Sequence, residues 1–419
     1  MQPDSDRMRA AARQMQLINA AHLLTHYSLL ILPTAVLAMA APNSPFGADY
    51  GPIVALATAM FALYGAGSLP QGWLAARFGR PRLMLAFFLG TGASLVAASF
   101  AQGPASLAIA LGFAGFFSAI YHPIGTAMLV EAAGDKPGRA LGVNGVFGNL
   151  GVASAPLVTA FLSQQVGWRA GFAVPGLVCI ALGLWWTTQN HVEIARHVQA
   201  RPFPDIPKAV VRRALIVMLS ISAASGLIFN AFTVLLPKLM EERLASEPGL
   251  LPVVGVLAFS VTLCGALTQF TVGRLIDHTT LKRIFLPLGL TLVPAMGLLA
   301  VVHGWLTLPL AGLVAAVIFG QVTINETMTA RYISPHMRAQ IYSLRFFIGF
   351  IGGAAAAPLV GFLHERTGSL SAIVLILAAV GCVTLACALA FPDRREELEP
   401  ELWARAPEGQ AVPAPAPAE

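Results

Sequence analysis

Gly72-Trp73-Leu74-Ala75-Ala76-Arg77 returns in type 201 residues later as Gly273-Arg274-Leu275-Ile276-Asp277-His278, each copy ending an apolar run and opening a basic loop. Outward from this pair, Pro33 is matched by Pro237, and Pro156-Leu157-Val158 by Pro358-Leu359-Val360. The chain therefore reads as two related halves. Each half holds six apolar segments of about 20 residues, the length a helix rising 1.5 Å per residue needs to cross a bilayer. Spans are expected near 16–41, 50–76, 83–101, 105–130, 140–163 and 169–190, then near 213–240, 250–276, 284–303, 307–330, 339–363 and 369–391. The fold class is an all-α integral membrane protein, 12 transmembrane helices in two pseudo-symmetric six-helix halves. The expected organisation is a cytoplasmic N-terminal segment (1–15), the first half (16–190), a cytoplasmic linker (191–212), the second half (213–391) and a disordered Pro/Ala-rich tail (392–419). Two related halves can rock about a site between them, which points to a carrier.

Composition agrees. Of 419 residues, 56% are hydrophobic and 11% charged, with a mean hydropathy of +0.71, outside the range of soluble globular domains. The net charge of +6 would suit a nucleic-acid partner, but its placement argues for topology instead. Arg7, Arg9 and Arg13 precede span one, and Arg77, Arg80 and Arg82 follow span two. Lys136 and Arg139 follow span four, and five basic residues from Arg196 to Arg213 crowd the middle. Lys282 and Arg283, Arg338, and Arg394 with Arg395 follow spans eight, ten and twelve, whereas the alternate loops hold only Arg169, Lys238, Arg243 and Arg366. This asymmetry places both termini and the central loop in the cytoplasm. The expected location is a cell inner (plasma) membrane. Cys179, Cys264, Cys382 and Cys387 all fall within spans, at spacings that suit neither zinc nor disulfides, and are read as small core residues.

Twelve spans, a longer central loop and the glycine-basic stretch Gly72 to Arg82 together resemble the major facilitator superfamily, over roughly residues 15 to 392. Members carry a G-x-x-x-D-R-x-G-R-[RK] pattern between spans two and three. Here Ala76 stands where the acid belongs, while Arg77, Gly79 and Arg80 are kept. The second copy retains the acid as Asp277 but has Thr280 in place of the later glycine. Glycines such as Gly72 and Gly79 allow a tight helix end. The arginines anchor at the headgroups or pair with acids at neighbouring helix ends: Glu131 or Asp135 in the first half, Asp277 with Arg331 in the second. In span five, Gly142, Gly148 and Gly151 followed by Ala155-Pro156 resemble the glycine-proline pattern of exporters in this superfamily, with Ala155 replacing its last glycine. Small residues permit close helix packing, and Pro156 bends the helix. Tyr121-His122-Pro123, interrupting span four, is similar to an element of the fosmidomycin-resistance-type exporters.

Ionisable groups inside a bilayer cost several kcal/mol unless paired or wetted, so each is a functional candidate. Glu326 and Arg345 stand at similar depth in spans ten and eleven; Arg345 is seven residues, about 10 Å, beyond Arg338. They are expected either to pair structurally or to divide the work, Arg345 meeting a substrate anion and Glu326 carrying a proton. His22 and His26, four residues apart, share one helical face, and Asn230 takes the place of His26 in span seven. The resemblance implies a cavity lined by spans one, four, seven and ten. The substrate-binding candidates are therefore His26, Tyr27, His122, Asn230, Asn325 and Arg345, and the proton-coupling candidates Glu326, His22, His26 and His122. Gating falls to Gly72, Arg77, Gly79, Arg80, Glu131, Gly151, Pro156, Asp277 and Arg331.

No G-x-x-x-x-G-K-[ST] loop is present, since the four lysines follow Asp135, Pro207, Pro237 and Leu281. No H-E-x-x-H or G-x-S-x-G element is present either, so neither ATP drive nor enzymatic chemistry is expected. The expected function is proton-coupled export of a small organic compound or drug by alternating access. Uptake of a small organic anion is the alternative, and a transport-inactive sensor the third. The expected partners are a small molecule, H+ and the lipid bilayer, with no cofactor, no metal, no nucleic acid and a monomeric state.

Overall fold

Twelve helices long and apolar enough to cross a membrane run through the computed structural model, which describes residues 2–133, 137–190, 206–244, 250–276 and 278–392. In the first half the spans are Met8–Met39, Tyr50–Ser68, Arg80–Ser99, Pro104–Ala132, Ala140–Gln165 and Trp168–Thr187. In the second they are Lys208–Leu244, Leu251–Leu275, Leu281–Val301, Gly304–Thr329, Leu344–Thr367 and Ser371–Ala390. No strand occurs among the described residues. The chain is thus all-α, with six spans on either side of the central connection.

The expected boundaries shift where proline acts. Span two does not continue to residue 76: it stops at Ser68, before Pro70, and a separate short helix, Gln71–Phe78, follows. Proline has no N–H to extend the ladder and crowds the carbonyl one turn back. Gly72 consequently lies inside that short helix, facing open space, and does not make the tight turn expected of it; Gly79 does, at φ +81°. Residues 208–212, assigned to the linker by sequence, form the first turns of span seven directly after Pro207. The rest of the linker (191–205) and the tail from 393 lie outside the described residues, as do Asp135 and Asp277.

Large apolar side chains such as Phe113, Phe161, Leu267 and Phe362 are exposed on the spans, a surface suited to lipid. Two cysteines depart from expectation: Cys179 and Cys387 are buried, but Cys264 and Cys382 are exposed. An apolar groove of about 760 Å³ between spans three and four, bordered by exposed Phe100, Ile109 and Phe113, opens on the same kind of surface.

The two halves meet through spans two and eleven and through spans five and eight. The tightest contact is Gly51 against Gly361, where a Cβ on Gly51 would stand 2.5 Å from the Gly361 carbonyl oxygen. Only two glycines let these backbones approach so closely. Nearby, Lys238 forms ion pairs with Glu241 and Glu242, and His364 Nε2 lies 2.6 Å from Glu242. Both basic groups also reach Tyr50 of the other half, Lys238 over its ring and His364 edge to face. These residues surround a polar cavity of about 590 Å³ at the end away from the chain termini. At the termini-bearing end, the bonds of Arg80 to Glu131, Trp186 to Pro81, Arg331 to Ile276 and Lys282 to Leu389 each stay within one half. The described contacts therefore clamp the halves together at the far end.

Candidate functional site

Span four holds the feature that organises the interior. Pro123 cannot donate to the helix ladder, and the turn Tyr121–Gly125 widens to a π-helical one, a distortion common at functional sites. It carries His122 towards span one, where His22 and His26 share a face. Ring centroids are 4.9 Å apart for His22–His26, 5.2 Å for His22–His122 and 5.4 Å for His26–His122. The Nε2 atoms of His22 and His26 are 3.1 Å apart. All three imidazoles remain partly exposed.

The trio is held from behind. His22 Nδ1 lies 2.7 Å from the Asn144 carbonyl of span five and stacks on Tyr121 at 4.7 Å. A neutral His22 donates through Nδ1–H and leaves the Nε2 lone pair facing His26. Asn144 is itself clamped, accepting from the Tyr121 hydroxyl at 2.8 Å and donating to Asn19 Oδ1 at 2.8 Å. Room for the His22 ring comes from Gly148, whose Cβ would fall 2.5 Å from it. Gly151, one turn on, admits the Leu23 carbonyl of span one, so the span-five glycines seat span one. Pro156 in turn presents its carbonyl to Gly255 of span eight, across the boundary between halves.

The second half faces this group with different chemistry. Phe346 of span eleven stacks on His122 at 5.2 Å, and Phe350 packs against Tyr64 at 4.3 Å. Arg345, beside Phe346, donates to the Thr329 hydroxyl and, at 3.3 Å, to Ser222 Oγ. Its charge reaches Glu326 electrostatically. Glu326 is exposed, three residues before Thr329 on span ten.

The other sequence candidates fall elsewhere. Tyr27 is buried towards span five, its hydroxyl 3.3 Å from Thr159, and points away from the imidazoles. One residue beyond His26 is a rotation of about 100° on a helix, which takes Tyr27 into the core. Asn230 donates back to the Gly226 carbonyl of its own helix at 2.8 Å and packs on Gly353. Asn325 is buried with its Oδ1 unpartnered among the described residues. The Arg80–Glu131 bridge joins spans three and four within the first half; Arg77 is exposed on the short helix. Arg331 donates to the Ile276 carbonyl at 3.1 Å. Residues that sequence reading passed over are Asn19, Tyr64, Ser222, Thr329 and Phe346. They are ordinary polar or aromatic types, and only the helix packing places them at the site.

The model of the Major Facilitator Superfamily matches residues 23–251 and 244–415 of this chain. The chain belongs to this superfamily. Among its superfamily relatives, it is 26% identical over 343 residues to a probable 4-methylmuconolactone transporter of Cupriavidus pinatubonensis, covering 78% of this chain and 77% of that one. An uncharacterized MFS-type transporter, YfnC, of Bacillus subtilis is 32% identical over 96 residues, 23% of this chain and 24% of the relative. Membership makes this chain a multi-pass membrane protein of a transporter family. The two halves touch beside the imidazoles, at the His122–Phe346 contact.

Proposed function

We propose that this protein is a secondary active transporter that exports a small organic compound by alternating access, coupled to protons. The observation that carries this reading is the contact of the halves at Phe346 and His122, with three imidazoles clustered on the first-half side and Arg345, next to Phe346 in sequence, on the second. A cargo bound between them touches both halves, so relative motion of the halves changes its surroundings. Glu326 is the coupling group in this scheme, since an exposed carboxylate within a span can exchange a proton with whichever side has access. The groove between spans three and four is lined almost wholly by apolar side chains, with Ser94 and Ser106 its polar ones, and no charged group there could orient an ionic cargo. The cytoplasmic placement of the termini follows from the basic loops. On that orientation the far-end clamp closes the outward side.

The superfamily relative named for 4-methylmuconolactone supports small organic cargo. Arg345, oriented by Ser222 and Thr329, supports a second reading, uptake of a small organic anion. The test begins with thermal stabilisation of purified protein by a panel of anionic, neutral and cationic compounds, because a ligand of the folded state raises Tm by mass action. The stabilising compound is then followed in proteoliposomes under an imposed proton gradient. Accumulation driven by the gradient and lost in Glu326→Gln supports the proposal. Flux that ignores the gradient refutes proton coupling, and the vesicle orientation that accumulates cargo decides export against uptake.

A further inference from the structure

The histidine trio has the makings of a metal site. Its three available nitrogens all lie within 4.8 Å of one another. The closest pair, His22 and His26, is 3.1 Å apart, against about 3.3 Å between nitrogens bound to a tetrahedral zinc at 2.0–2.1 Å. We propose that His22, His26 and His122 bind one divalent first-row transition ion, zinc being the best match, with the fourth coordination position open to the space between the halves.

Three features separate this from a packed aromatic cluster. First, His22 and His26 present nitrogen atoms to each other, where packing alone would be served as well by their carbon edges, and a nitrogen of His122 lies within 4.8 Å of both. Two sit at i and i+4 on one helical face, a spacing that brings two imidazoles to one ion, and the third is delivered by the π-helical turn at Pro123. Second, His22 carries the outer hydrogen bond characteristic of a metal-bound imidazole, from Nδ1 to a backbone carbonyl. That carbonyl belongs to Asn144, whose side chain is fixed by Tyr121 and Asn19. Third, the space for the ring is built, since any side chain at position 148 would collide with it.

The ligand set also selects the ion. Neutral imidazoles suit zinc, copper, nickel or cobalt, and suit calcium or magnesium poorly. Among the described residues, the groups shown in contact with the trio include Asn144, Tyr121, Tyr64 and Phe346, all without formal charge. A dication there would keep most of its charge, so the open position favours hydroxide or a carboxylate. Because Phe346 stacks on His122 from the other half, an occupied site would bear on the contact that must change when the halves move.

The experiment uses the full-length protein, purified in detergent without a histidine tag, stripped with a chelator and titrated with Co2+. Tetrahedral cobalt gives an intense visible band that the aqueous ion lacks. The expected result is one saturable site per chain, with the band abolished by competing Zn2+. His26→Ala and His122→Ala should each weaken binding about tenfold or more, while His303→Ala, in an exposed connection, should change nothing. Variants are compared only where their metal-free melting is cooperative. Should both histidine variants fail that check, the wild-type titration still decides. A cobalt spectrum that stays octahedral in the wild type overturns the proposal, as does a band undiminished in the His26→Ala/His122→Ala double variant. The readout is binding alone, so it stands apart from the outcome of any flux measurement.

Discussion

Gly51→Ala is the sharpest perturbation of the contact between halves. The new methyl carbon would stand 2.5 Å from the Gly361 carbonyl oxygen, where ordinary contact begins at 3.4 Å, and also 3.2 Å from Glu365 Cγ. Backbone cannot swing aside as a side chain can, so spans two and eleven must part by roughly 0.9 Å, the difference between those two distances. Overpacking of this kind costs about 1–3 kcal/mol. The cost falls only on the state in which these helices touch, so the equilibrium between conformers should move about 5- to 150-fold towards the state in which they are apart. Spin labels on Ala48→Cys and Arg366→Cys, on opposite halves at the far end, would report this as a longer inter-label distance. The background would lack the four native cysteines. Gly142→Ala, where nothing lies within 4 Å of the added carbon, is the matched control. An unchanged distance distribution together with an unchanged Tm in Gly51→Ala would refute the reasoning.

Four further outcomes are expected. Arg345→Ala should abolish stabilisation by anionic ligands if it binds cargo; if it only balances Glu326, Tm should fall and be recovered in Arg345→Ala/Glu326→Ala. Arg243 donates to the carbonyls of Leu299, Ala300 and Val302 at the end of span nine and to Ser371 Oγ. Arg243→Ala should therefore cost about 2–4 kcal/mol, read as a lowered Tm. The Arg80–Glu131 bridge has side chains 37% and 30% exposed, so Glu131→Gln should lower stability by no more than about 1 kcal/mol, and less as salt is raised. Asn144→Ala strips the amide from Tyr121 and Asn19 but keeps the carbonyl that holds His22. It should cost about 1–3 kcal/mol in thermal unfolding while the cobalt band of the histidine site survives.

The number of spans and their approximate positions were legible because a bilayer imposes one long apolar run per crossing, a signal averaged over many residues. Errors concentrated where a single residue governs the backbone: Pro70 cut span two short, and Pro207 set the start of span seven. The candidate site was legible by half. His22, His26 and His122 were visible as costly polar groups in apolar helices, and their convergence was not, because it depends on a widened turn at Pro123 and on a missing side chain at Gly148. Tyr27 shows the converse failure: membership of a cavity-lining span does not fix the direction a side chain takes. Glu326 and Arg345 were assigned similar depth from helical rise alone. The hydroxyls of Ser222 and Thr329 that orient the arginine carry no sequence signature, since serine and threonine occur throughout such helices.

The widened turn in span four is not matched in span ten, which runs as one regular helix from Thr307 to Tyr332. Where the duplicated halves would otherwise present the same surface twice, one now offers nitrogen lone pairs and the other a guanidinium with a carboxylate. A cavity with equal walls accepts a guest in either of two opposed poses. Under the proposed transport, a guest held between unequal walls has a head and a tail, and the widened turn at Pro123 helps to shape the wall that differs.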